Sequence, residues 1–288
     1  MTAAPRPWLV LGGSGAVGRF LLRELARRGQ PTLALSRQAP PSWARDWPGI
    51  EWRRGALEDS GALLREAAVL LSAGPLDAFA SACTRYPPSR ECRVVALSSL
   101  SVVWKRASPD PGERALVERL VRAEEALLAA CADLCHGPRL LRVGLIYGAG
   151  IDRSLQVLLN LARRLHGLPW PRGARGRRQP VHAEDLARAM LAAAHREAPP
   201  THLALPGPEA VPFDVLIDRM LAAAAPGLRR WPLPLPRGVS DLAARHVARL
   251  APLARAYTDQ CAAADDWQRL GLVPRDFNPT PLDFVAWS

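Results

Sequence analysis

Short apolar runs alternate with helically spaced apolar positions through the first two thirds of the chain. The run 8–11 predicts a first buried strand, followed by a helix that places Phe20, Leu21, Leu22 and Leu25 on one face. Segments 31–37, 50–55, 68–75, 93–103 and 139–148 predict the next five strands, with helices at 60–67, 112–132 and 152–166 between them. An Arg/Gly/Pro-rich loop runs to position 180, a short strand and helix occupy 181–197, and 202–208 predicts a seventh strand. Strand–helix alternation of this kind builds an α/β fold, a Rossmann doubly wound parallel sheet with helices on both faces. We read 1–165 as the sheet domain, completed by a segment returning near 179–206. Residues 166–288, ending in proline-punctuated helices and short strands, then form a smaller substrate-side lobe.

The first strand-to-helix turn carries the clearest chemistry. Gly12, Gly15 and Gly18 recur at three-residue spacing after the strand and before the helix. Such a turn aims backbone N–H groups and the positive helix end at a diphosphate. Gly12 permits the tight turn, Gly15 admits the phosphates, and Gly18 lets helix and strand pack closely. Ser14, Ala16 and Val17 lie between these glycines and complete the expected cradle. Gly15→Asp or Gly18→Val is expected to abolish dinucleotide binding in a protein that still folds.

An acidic residue ending the second strand would bond the ribose 2′-hydroxyl and favour NAD. That strand ends instead in Ser36 and Arg37, a hydroxyl and a planar cation suited to a 2′-phosphate. NADP is therefore preferred over NAD.

Composition narrows the partners. The net charge of +11 comes almost wholly from arginine, since Lys105 is the sole lysine. The densest basic run, 172–178, has no aromatic residue interleaved for base stacking, which argues against nucleic acid. No run reaches the roughly 18 uninterrupted apolar residues of a membrane span. The apolar N-terminal run is better used as a strand than as a signal peptide. The five cysteines are irregularly spaced, as expected of reduced thiols in the cytoplasm. Cys131 and Cys135, four apart on a helical pattern, read as core cysteines and not as metal ligands with His136.

The G-x-x-G-x-x-G spacing resembles the extended and atypical short-chain dehydrogenase/reductases, which include the NAD-dependent sugar epimerases and dehydratases. Further motifs carry the resemblance in order over residues 8–190. They are Gly55-Ala56-Leu57-Glu58-Asp59, Ala73-Gly74, Ser98-Ser99, Arg142 with Tyr147-Gly148, and Val181-His182-x-x-Asp185-Leu186-Ala187. Leu270-Gly271-Leu272-x-Pro274-Arg275 is similar to the family's closing segment. The resemblance implies adenine contacts at Leu57 and beside Ala73-Gly74, with a family carboxylate lost at Ala56. It also implies a substrate-binding arginine at Arg178, four residues before His182, for the diphosphate of a sugar nucleotide. His182 reads as a packing and hydrogen-bonding residue, and Asp185 as a residue that caps or orients the following helix.

The family's catalytic pair, Tyr-x-x-x-Lys, is absent. Tyrosine occurs only at 86, 147 and 257, and Ser101 stands four residues before Lys105. Aligning the family's glutamate with Glu124 puts Leu116 and Leu120 at the dyad positions, Glu125 gives Val117 and Val121 instead, and Leu100 replaces the substrate-orienting serine. Ser99, Ser101, Lys105 and Tyr147 remain as weak catalytic candidates. Two functions follow: an atypical NADP-dependent oxidoreductase or epimerase-like enzyme, or a non-catalytic NADP-binding sensor or scaffold. The second resembles the NmrA-like regulators and the dehydrogenase-like accessory subunit of respiratory complex I.

Overall fold

The computed structural model describes residues 6–44, 47–108, 110–152, 154–197, 200–234 and 256–287. Its main sheet has seven parallel strands in the order β11-β6-β5-β4-β1-β2-β3. These are β1 (Trp8–Leu11), β2 (Thr32–Ser36), β3 (Ile50–Arg54), β4 (Val69–Ser72), β5 (Arg93–Ser99), β6 (Pro138–Val143) and β11 (His202–Leu205). The helices are α1 (Ala16–Arg27), α2 (Gly61–Glu66), α3 (Leu76–Arg85), α4 (Ser101–Trp104), α5 (Pro111–Ala130), α6 (Leu155–Leu165), α7 (Ala183–His195) and α8 (Phe213–Ala224). Short strands pair outside the main sheet: β7 (Ile146–Tyr147) with β10 (Val181–His182), β8 (Leu168–Pro171) with β13 (Arg230–Leu233), and β9 (Arg177–Arg178) with β12 (Val211–Pro212).

The two-residue period of β1 explains the layers. Val10 points into a core built with α1 and α7, while Leu9 and Leu11 point into the opposite core beside Phe79 and Leu127 of α3 and α5. A third core joins Tyr147, Leu159, Trp170, Leu216, Met220 and Phe277 away from the main sheet. The expected seventh strand is β11, which returns to pair with β6.

Three local expectations are corrected. The expected fifth strand stops at Ser99, and Ser101–Trp104 forms a helical turn, because Leu100 adopts αR geometry. Helix α3 was not expected; its small residues obscure the apolar face made by Leu76, Phe79, Ala80 and Cys83. The loop before position 180 contains β8 and β9. The expectation of helices and short strands in the C-terminal part falls partly on 235–255, outside the described residues. Among the described residues no helix is long and apolar enough to cross a membrane.

Candidate dinucleotide-binding site

The strand order reverses between β1 and β4, since β1 leads to β2 and β3 on one side while β4 leads to β5 on the other. Such a switch point leaves a crevice at the carboxyl ends of the strands. A cleft of about 590 Å³ lies there, lined by Leu11, Leu35, Ser36 and Ser72 from the strand ends.

The glycine turn forms part of its wall through Gly12 and Ser14. Gly12 has φ of +74°, and a Cβ there would stand 2.6 Å from the backbone nitrogen of Gly74. That contact explains why the Ala73-Gly74 step and the glycine turn occur together. Gly15 donates its N–H to the carbonyl of Gly12 at 3.0 Å and is the N-cap of α1. No side chain caps this helix and no carboxylate stands in its first turn. Its positive end is therefore uncompensated beside the cleft.

Arg37, Leu57 and Gly74 also line the cleft, so the structure gathers six residues of the sequence-derived set: Gly12, Ser14, Ser36, Arg37, Leu57 and Gly74. Gly15, Ala16, Val17, Gly18 and Ala73 belong to the turn, the start of α1 and the β4 end behind it. Arg37 is exposed and makes no side-chain hydrogen bond or ion pair among the described residues. The hydroxyl oxygen of Ser36 accepts from the N–H of Gln38 at 3.1 Å, which fixes that turn. Sequence reading missed Gln38, Pro75, Ala78 and Phe79 in the lining, and also Glu58, a carboxylate at the β3 end. Phe79 was hidden with the unexpected helix α3. Glu58 was passed over because the family's carboxylate sits two positions earlier, at Ala56.

The catalytic candidates lie outside this lining, and Lys105, Tyr147 and Ser99 are engaged structurally. Lys105 Nζ is 2.9 Å from Glu113 Oε1, and the Ser108 hydroxyl donates to the other oxygen of that carboxylate at 2.7 Å. Lys105 thus ties the end of α4 to the first turn of α5. Tyr147 is buried against His182 and Phe277, and its hydroxyl donates to the carbonyl of Asp276 at 3.4 Å. Burial pushes its phenol far above the ordinary value, which makes it a poor base near neutrality. Ser99 Oγ accepts from the N–H of Ser101 at 3.1 Å and so supports the start of α4.

Glu124 anchors the register of α5. Its buried carboxylate accepts from Ser98 Oγ and from Nε and Nη2 of Arg142, with His202 Nε2 at 3.5 Å. Burial raises its pKa, but the hydrogen bonds from Arg142 and Ser98 outweigh that effect and hold it below the ordinary value. Leu116 and Leu120 lie two turns and one turn earlier on the same helix, both half-buried. Breaking the pair with Arg142→Met is expected to cost about 3–5 kcal/mol in a denaturant titration, because it strands a buried charge. Arg142 is 26% exposed at the side chain, which places the loss toward the lower end. The depressed Glu124 pKa gives stability that is present above the unfolded carboxylate range and lost as pH falls through the folded value. This acid-side loss should disappear in the variant.

Two expectations for the substrate side are corrected. Arg178 is not on an open loop: it is 5% exposed, Nη1 donates to the carbonyls of Arg177 and Thr258, and the guanidinium covers the Phe213 ring. Strand pairing of β9 with β12 draws it inward. Asp185 does not cap α7. His182 does, accepting from the Glu184 N–H through Nδ1 at 3.1 Å. Its Nε2 then carries the proton toward Asp283 Oδ1 at 3.0 Å. Asp185 receives the backbone N–H and guanidinium of Arg275, so it clamps the closing segment to α7. The basic run is partly neutralised, with Arg175 on Asp214 and Arg177 on Asp259.

No protein-family model and no curated protein matches the sequence. Solved structures do match. MoeE5 in complex with UDP-glucuronic acid and NAD is 20% identical, with a TM-score of 0.67 over 93% of this chain and 94% of that one. UDP-N-acetylglucosamine 4-epimerase from Bacillus cereus is 15% identical, with a TM-score of 0.64 over 96% and 97%. Vestitone reductase from alfalfa is 18% identical, with a TM-score of 0.54 over 75% and 81%. The chain has the fold of these enzymes. The likeness to MoeE5 and the epimerase spans more than nine tenths of the chain.

Proposed function

We propose that this protein binds a nicotinamide dinucleotide, NADP in preference to NAD, as an atypical short-chain dehydrogenase/reductase of the oxidoreductase or epimerase type. The observation that carries the reading is the cleft at the β1/β4 switch point, where glycine turn, Ser36–Arg37 rim and Gly74 converge. The diphosphate meets the start of α1 around Gly15, Ala16 and Val17, and the adenine lies beside Leu57. Glu58 supplies an acceptor for the adenine amino group that Ala56 no longer provides. The dinucleotide, when bound, supplies the hydride acceptor or donor.

Residues 166–288 serve as the substrate-side lobe over the first domain, 1–165, with 179–206 returning to it. A sugar nucleotide is the preferred substrate class, because the similar MoeE5 was solved with UDP-glucuronic acid and with UDP-glucose. Arg178 reaches a substrate diphosphate only by leaving the Thr258 carbonyl. A cytoplasmic location accords with the reduced-thiol reading of the cysteines.

One observation favours a second reading, binding without turnover as a sensor or scaffold. Lys105, Tyr147 and Ser99 all have structural duties, and leucines fill the dyad positions. Mass spectrometry of nucleotide co-purifying with the protein separates the two readings. NADP together with a sugar nucleotide supports the enzyme, and NADP alone supports the sensor.

Arg37→Ala should weaken NADP binding by about 1.5–3 kcal/mol more than NAD binding, the range for a charge-assisted hydrogen bond. Equal losses in parallel calorimetric titrations would remove Arg37 from 2′-phosphate recognition.

A further inference from the structure

The glycine turn carries a second cation. Arg19 follows Gly18 in the first turns of α1 and is only 8% exposed. Its side chain runs back toward the helix N-terminus, as long side chains on helices do, and Nε donates to the Ser14 carbonyl at 3.1 Å. That is the guanidinium's one hydrogen bond among the described residues, and Nη1 is buried without a partner. The guanidinium carbon lies 5.0 Å from the Trp43 ring centroid, and Trp43 belongs to the segment beyond Arg37.

A buried cation at this end of a helix is unfavourable twice over. Burial penalises its charge, and the aligned peptide dipoles repel it. Arginine cannot escape by giving up its proton. No acidic residue stands in the first turn of α1, and none pairs with Arg19 among the described residues. Among the described residues nothing balances this charge, and an anion bound beside the turn would.

The two contacts of Arg19 indicate which anion. Ser14 lines the cleft with Ser36 and Arg37, and Trp43 connects Arg19 to the chain segment that continues from that rim. We propose that Arg19 is a specificity-determining residue that joins Arg37 in a two-cation receptacle for the phosphate on the adenine ribose 2′-hydroxyl. A phosphate monoester carries about −1.5 to −2 charges near neutral pH, which two guanidinium groups match and one does not. The idle N–H groups of Arg19 suit bidentate contact with phosphate oxygens, and the Trp43 ring holds the guanidinium plane. This inference rests on the dinucleotide reading above.

The test titrates two probes, adenosine 2′,5′-bisphosphate and ADP, into the wild-type protein and into Arg19→Gln and Arg19→Lys. Only the first probe has a 2′-phosphate; only the second has a diphosphate. Arg19→Gln should weaken the bisphosphate about tenfold or more and ADP less than about threefold, with Arg19→Lys recovering part of the loss. Thermal unfolding is followed for each variant. Where the glutamine variant does not fold, a loss confined to the bisphosphate in the lysine variant supports the proposal. Equal losses for both probes, or none for the bisphosphate, overturn it while leaving the dinucleotide reading standing. A wild-type protein that binds neither probe overturns the dinucleotide reading itself.

Discussion

Gly15→Asp is expected to lower NADP affinity by about 100-fold or more, with little change in thermal stability. The backbone accepts the change, since Gly15 has φ of −74° and ψ of 171°, an extended conformation open to any residue. An added Cβ would stand 3.1 Å from the Gly12 carbonyl, a tight contact that a small shift relieves. Aspartate is also a favourable N-cap, so α1 itself does not suffer. What suffers is the ligand. A carboxylate at the helix start would occupy the place proposed for the diphosphate and repel it, and two like charges about 4 Å apart near a protein surface cost about 4 kcal/mol. Isothermal titration with NADP measures the loss, and unchanged affinity would remove the glycine turn from the binding site. Gly18→Val, expected from sequence to act in the same way, is a different experiment. Its Cβ would lie 2.1 Å from the Gly12 carbonyl oxygen and 2.6 Å from the Gly13 Cα, both backbone atoms. Helix α1 would be forced off β1, so that variant reports folding.

The contrast between these two glycines shows what the sequence could express. Spacing identified the turn, because three glycines between an apolar run and an amphipathic helix have few other uses. It could not show at which glycine an added Cβ needs only a small shift and at which it cannot fit against the backbone. The main sheet was legible for a similar reason: buried parallel strands are short uninterrupted apolar runs, and each of the seven was anticipated near its observed place. Two-residue strands such as β7 and β9 have no period to detect, and pairing of β9 with β12 accompanies the burial of Arg178, which the sequence placed on a loop. Ser101–Trp104 reads as strand because Val102 and Val103 favour extended backbone, yet the chain turns there and Ser99 secures the turn. Arg19 was invisible as a site residue. Its meaning lies in a partner it lacks, and only the packed structure reveals that.

A second large effect is expected in catalysis. NADP-linked turnover of UDP-sugars or simple alcohols by the wild-type protein should be at or near background, because neither Tyr147 nor Lys105 is poised to move the proton. A positioned acid or base is typically worth about 10²–10⁴ in rate. Free tyrosine, near pKa ≈ 10, needs a lysine neighbour to serve as that base, and here Tyr147 is buried while Lys105 is neutralised by Glu113. Leu116→Tyr with Leu120→Lys places the pair in the register proposed from Glu124, whose carboxylate accepts from Arg142 and Ser98. Both leucines are half-buried and four residues apart on one face of α5, so phenol and ammonium keep access to water. The double variant should turn over NADP faster than wild type by at least about tenfold, part of the general acid–base factor, since the substrate-orienting serine is still missing at Leu100. Each single variant should remain near background, because phenol and ammonium act as a unit. Rapid wild-type turnover that survives Ser99→Ala, Ser101→Ala, Lys105→Met and Tyr147→Phe would place the proton-transfer group outside every residue named here. Absent turnover, with NADP altering the affinity for a protein partner, would establish binding as the function and leave the leucines as its natural consequence: a site that holds the dinucleotide and no longer needs to move a proton.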